Sequence, residues 1–181
     1  MIEQIYRTLK PFANMYTILF TWFLAITNLY LCIKPMKDYA VIAGLKTTPV
    51  VLDALNYYTP DEGYQTLTVL GVDGRNAYRL TNYYDFVLPF FLFLSLSLPN
   101  IALDESCHCV IAPFIYMISD YIENLAEKYV LEIYPERNDL MMTLASYTGL
   151  IKISFFYISV LIVIINLIKW IIKQSKKTKL K

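Results

Sequence analysis

Four stretches of the chain are apolar enough to lie in lipid, and polar segments separate them. Phe12 to Ile33 carries no charge and exceeds the roughly 20 apolar residues needed to cross about 30 Å of hydrocarbon. Phe86 to Leu103 is also uncharged and holds Pro89 and Pro99, which membrane helices tolerate when neighbours take up the freed carbonyls. Val110 to Ser119 is plainly apolar before Asp120, Glu123, Glu127 and Lys128 interrupt it, and the apolar periodicity continues through Tyr134 to Pro135. Met141 to Ile168 is long enough to span with tilt and holds one interior charge, Lys152. These patterns predict an all-α, polytopic membrane protein. Its four-helix transmembrane bundle has spans at about 12–33, 83–103, 110–134 and 141–168.

Residues 34–82 join the first two spans without low complexity or strong charge, so the pattern predicts a folded helical segment on the bilayer surface. Thr59-Pro60-Asp61-Glu62 is a helix start, with Thr59 as cap, Pro60 in the first turn and Glu62 closing a capping box. Leu70-Gly71 reads as the C-cap, glycine taking the left-handed conformation. A second helix from about Asp73 is expected to pass without a break into the second span, giving a helical corner near Gly71 to Gly74. Tyr57, Tyr58, Tyr64, Tyr78, Tyr83 and Tyr84 supply the aromatic belt that membrane interfaces favour.

Composition supports the membrane assignment: 57% of the 181 residues are hydrophobic and only 17% charged, outside the usual soluble range. The net charge of +1 says little, but its distribution says more. Lys169, Lys173, Lys176, Lys177, Lys179 and Lys181 make residues 169–181 a basic tail. The positive-inside bias and an even span count place both termini in the cytosol and residues 34–82 on the lumenal or extracellular side. Arg7 and Lys10 resemble a signal peptide's basic start, yet the apolar core is too long and no small-residue cleavage site follows it, so an uncleaved signal anchor is expected. In a eukaryote, Lys177-Thr178-Lys179-Leu180-Lys181 fits a dilysine retrieval address, which points to the endoplasmic reticulum or another internal membrane. The alternative is a tail that binds anionic headgroups.

The candidate chemistry lies in the last two spans. Glu123 and Lys152 stand about 14 residues on either side of a turn near Arg137 and Asn138, so an antiparallel hairpin sets them level. An intramembrane acid facing an intramembrane base is a functional-site candidate, because a charge in hydrocarbon costs about 2.5 to 3.5 kcal/mol on insertion scales. Asp120, Glu123 and Glu127, with Asn124 beside them, make one helix face acidic. Asp85, Arg75, Arg79 and Asn28 are the polar groups available from other helices. The expected network is therefore Asp85, Asp120, Glu123, Asn124, Lys152, Arg75 and Arg79, with Glu123 and Asp120 as candidate acid/base groups. The plainer alternative is that these side chains only join helices in lipid.

Other chemistry finds little footing. Cys107-His108-Cys109 is too tight for the usual zinc arrangement, and its thiols, in a predicted cytosolic loop, are expected to be inert or palmitoylated. The one histidine, His108, lies outside the predicted spans, which excludes histidine acid/base chemistry in the polar core. Phosphate-loop, C-x-x-C and N-glycosylation patterns are missing, and no metal, cofactor or nucleic-acid partner is expected.

Leu70-Gly71-x-x-Gly74-Arg75-x-Ala77-Tyr78, then Asp85-x-x-x-Pro89, Asp120-x-x-Glu123-Asn124 and Thr148-x-x-x-Lys152 together resemble a pattern in small four-span membrane proteins of unassigned function. The likeness covers the last two-thirds of the chain and implies that Asp85, Asp120, Glu123, Asn124 and Lys152 belong to one site. In architecture alone the chain is similar to four-span sterol isomerase and sigma-2-like proteins, whose pocket histidine has no counterpart in these spans. The expected function is binding of a lipid-like ligand or a partner's transmembrane helix through the buried polar network. The alternative is an intramembrane enzyme using Glu123 or Asp120 as acid/base on a hydrophobic substrate.

Overall fold

A computed structural model describes residues 1–103 and 106–179, and these are all-α, with no strand among the described residues. Helix α1, Ile2–Leu9, is short and amphipathic. Its Ile2, Ile5, Tyr6 and Leu9 pack on Ile101, Cys109 and Val110. A 3-10 turn at Lys10–Phe12 leads to α2, Met15–Ile42, whose first turn is capped by Asn14 accepting the Thr17 N–H at 3.1 Å. The helix therefore outruns the expected first span, continuing through Pro35 to pair Lys34 with Asp38 on its exposed side.

Helix α3, Pro60–Asp85, begins with the expected capping box. The Thr59 N–H meets Glu62 Oε2 at 2.7 Å, and the Glu62 N–H meets Thr59 Oγ1 at 3.4 Å. The Thr59 N–H, contributing most, and the Thr59 hydroxyl, which donates to Glu62 Oε2 at 2.9 Å, hold the Glu62 carboxyl below the ordinary glutamate range. Gly71, at φ 65° and ψ −171°, bends α3 at the expected corner, a conformation nearly confined to glycine.

The second half of α3 does not run unbroken into the second span. Residues 86 and 87 interrupt it, and α4 starts afresh at Leu88–Leu103. Pro89 is the physical reason, because it has no N–H for the Asp85 carbonyl four residues back.

A 3-10 turn at Cys107–Val110 replaces the expected loop there and forms the seat for α1. Helices α5, Ile111–Ile133, and α6, Asp139–Lys179, then form the long antiparallel hairpin. At about 1.5 Å per residue, α6 continues as one helix well past the expected span. The end of the dilysine-like tail, Leu180 and Lys181, lies outside the described residues, as do the side chains from Lys177 onward.

Among the described residues, three helical stretches are long and apolar enough to cross a membrane: Met15–Ile42, Pro60–Leu103 and Asp139–Lys176. Helix α5, expected as a further span, carries Asp120, Glu123, Glu127, Lys128 and Glu132 and falls short of that measure. Asp120, Glu123 and Glu127 face the other helices, Glu132 is exposed beside Lys128, and Ile118, Ile122, Leu125 and Tyr129 face outward. The main core lies where the two halves of α3 meet α5 and α6, around Leu67, Leu70, Tyr78, Val130, Leu131 and Met142.

Candidate functional site

Lys152 is the centre of the polar interior. Its Nζ lies 2.6 Å from Glu123 Oε2 and 3.6 Å from Asp120 Oδ1, so the hairpin brings acid and base to one level. A third carboxylate, Asp53, pairs with the same ammonium, and sequence reasoning missed it. Asp53 comes from the irregular segment 43–59, where a 3-10 turn at Leu52–Ala54 carries it inward. The available signal was Val50-Val51-Leu52, an apolar run in a polar connection. Leu52 is fully buried, and it carries the next residue in with it.

Several neutral groups fix the acids. The Asp53 backbone N–H donates to Tyr78 Oη at 3.2 Å, and that hydroxyl donates to Glu127 Oε2 at 2.6 Å. Tyr116 Oη donates to Asp120 Oδ2 at 2.7 Å, one helical turn away. Asn124 Nδ2 reaches Asp120 Oδ1 and the Asp85 carbonyl, each at 3.4 Å. That carbonyl is the one Pro89 leaves without a helical partner, so Asn124 joins α5 to the break in α3. Asn28, on α2, reaches the site through Cys32, whose Sγ lies 3.7 Å from its Oδ1 and 3.8 Å from Asp85 Oδ1.

Gly149, one turn before Lys152, makes room for the pair. A methyl carbon there would stand 2.6 Å from Glu123 Oε1. The missing side chain lets the carboxyl group lie directly against α6.

Arg75 and Arg79 do not join this network. Arg75 donates to the Leu67 carbonyl at 2.8 Å and stacks over Tyr134 at 4.2 Å. It closes the bend at Gly71, where helix-end carbonyls lack partners, and Tyr39 does the same by donating to the Leu70 carbonyl at 3.2 Å. Arg79 donates to the Leu131 carbonyl at 2.7 Å, an oxygen left unpaired because Pro135, four residues on, has no N–H. Both arginines serve backbone oxygens freed by a glycine or a proline.

Asp85 does belong to the centre. Single oxygens of Asp53, Asp85 and Asp120 lie within 4.8 Å of one another. A cavity of about 210 Å³ reaches the first two of these acids between α2, α3, the start of α4 and segment 48–54. Its walls are apolar, with Leu29, Ile33, Met36 and Leu88, and its polar end holds Asp53, Asp85 and Thr81. Glu123 and Asp120 lie behind it, 1% and 2% exposed, whereas the Asp53 side chain is 33% exposed. Compared with protein-family models, curated proteins and solved structures, the chain matches none.

Proposed function

We propose that this chain is a multi-pass membrane protein that binds a lipid-like ligand, with the ligand's polar head against Asp53 and Asp85. Its apolar part lies between α2 and α4. The observation that carries this reading is the cavity itself, whose walls are apolar and whose polar end opens onto charged side chains. Amphiphile sites have this form, with mostly apolar walls and a few placed polar groups that fix orientation. The volume fits a headgroup and the first carbons of a chain, leaving the remainder in lipid beside the exposed Leu29 and Ile33.

In this reading α5 is the fourth transmembrane helix: Asp120, Glu123 and Glu127 turn inward, as intramembrane charges require, and the exposed Glu132 lies at its end. Broad apolar exposure on α2 and α6, including Phe20, Phe23, Leu161 and Ile164, supports a lipid-facing exterior. Both termini are cytosolic, the α3 corner is lumenal, and the home membrane is the endoplasmic reticulum or another internal membrane. Acid/base catalysis by Glu123 or Asp120 has less support, because neither lines the cavity.

The test is lipid extraction and mass spectrometry of protein purified in mild detergent. Wild type is expected to retain an amphiphile in stoichiometric amount, and Ile33→Trp, which fills the cavity mouth, to lose it. Equal lipid content in both, or recovery of a stoichiometric membrane-protein partner in place of the lipid, would overturn the proposal.

A further inference from the structure

We propose that Asp53, Asp85 and Asp120 together hold one hard divalent cation at the polar end of the cavity, with the Thr81 hydroxyl as a fourth protein oxygen. Oxygen donors around such an ion at about 2.1 to 2.5 Å stand about 3 Å apart when adjacent and up to about 5 Å apart when opposite. The three aspartates each offer an oxygen within 4.8 Å of the other two. They converge from three separate parts of the chain: segment 43–59, α3 and α5.

The second observation is Thr81. It is 92% buried by its 8% exposure, and it lines the cavity beside Asp53 and Asp85. Yet its Oγ1 has no hydrogen-bond partner. Other buried threonine hydroxyls here return to a helix carbonyl, as Thr148 does to Leu144 at 2.8 Å. Thr81 lies one turn before Asp85 and so shares its face of α3. A buried hydroxyl without a partner costs about 1 to 3 kcal/mol, and a cation between it and the carboxylates removes that cost.

Charge balance points the same way. Asp53, Asp85, Asp120, Glu123 and Glu127 gather around a single ammonium, Lys152. A dication favours the ionised form of the carboxyl groups it binds and need not displace Lys152, because each carboxylate oxygen offers two lone pairs. Carboxylate and hydroxyl donors favour Mg²⁺, Mn²⁺ or Ca²⁺ over softer ions. Asp53, the most exposed ligand, marks the entry path, and water completes the coordination. The site does not depend on the amphiphile reading, since its ligands belong to the protein alone.

The experiment is a Mn²⁺ titration of the full chain in lipid nanodiscs after EDTA treatment, followed by loss of the free-ion electron paramagnetic resonance signal. One saturable Mn²⁺ per chain is expected, displaced by Mg²⁺ or Ca²⁺. Asp85→Asn is expected to weaken binding about tenfold or more, and Thr81→Val severalfold. Asp73→Asn, an exposed acid elsewhere on α3, should leave binding unchanged. No saturable site, or equal affinity in folded Thr81→Val and wild type, would overturn the proposal even if Asp85→Asn fails to fold. Amphiphile retention, measured on the EDTA-treated protein, reports separately on the cavity.

Discussion

Gly149→Ala probes how firmly the Glu123 carboxyl group is held. The new methyl carbon would lie 2.6 Å from Glu123 Oε1 and 3.2 Å from its carboxyl carbon, where ordinary contacts begin near 3.4 Å. The carboxyl group must therefore retreat by about 0.8 Å. A glutamate ending in open space would yield freely, and alanine in a helix interior would then stabilise by about 1 kcal/mol.

Glu123 is buried and sits 2.6 Å from Lys152. Breaking such a pair outright costs about 3 to 5 kcal/mol. A partial separation, offset by the propensity gain, leaves a net loss of about 1 to 3 kcal/mol. At about 2 to 4 °C per kcal/mol for a chain of this size, the unfolding midpoint in detergent, followed by circular dichroism, should fall by about 2 to 12 °C.

In a Glu123→Ala background the clash disappears, while Lys152 keeps Asp53 and Asp120 as partners. There the same substitution should raise the midpoint by about 2 to 4 °C. A rise of equal size in both backgrounds would refute the pinned-carboxyl reasoning.

Tyr78→Phe removes the hydroxyl that joins the Asp53 N–H to Glu127 and should destabilise by about 1 to 3 kcal/mol, read from the same thermal scans. Gly71→Ala meets no atom within 4 Å, so its expected cost of about 1 to 3 kcal/mol is purely conformational, and a neutral result in denaturant titration would count against the bend. Glu62 titrates below its ordinary range in the folded protein, so its contribution is present above that range and lost as pH falls through the folded value. Amide protection factors at the start of α3, corrected for the intrinsic slowing of exchange at lower pH, should fall on acidification in wild type and lose that pH dependence in Glu62→Gln.

The α5 and α6 part of the site was legible because hairpin arithmetic and helical periodicity act locally. Asp120, Glu123, Asn124 and Glu127 recur on one helical face, and the short turn fixes which residue of α6 lies opposite. Asp53 was not legible, since an irregular segment has no period and its approach to Lys152 depends on long-range packing through Leu52. The arginines erred for a different reason. Arg79 precedes Asp85 by six residues, which places it about 120° away around a helix of 3.6 residues per turn, while Tyr78 and Thr81 share the Asp85 face.

The break at residues 86–87 was also visible in principle, because Pro89 cannot serve the Asp85 carbonyl. What sequence alone did not show was that Asn124 would take that carbonyl from another helix. Polar residues chosen as site candidates thus divide by what freed them: Arg75 and Arg79 answer backbone oxygens, and Lys152 answers side-chain charge.

The most direct test is a double-mutant cycle of Glu123→Gln and Lys152→Met, with unfolding free energies measured in lipid nanodiscs. Groups in one buried ion network should show a coupling of about 1 to 3 kcal/mol. Additive losses, agreeing within about 0.5 kcal/mol, would mean the acid and the amine are not partners inside the bundle.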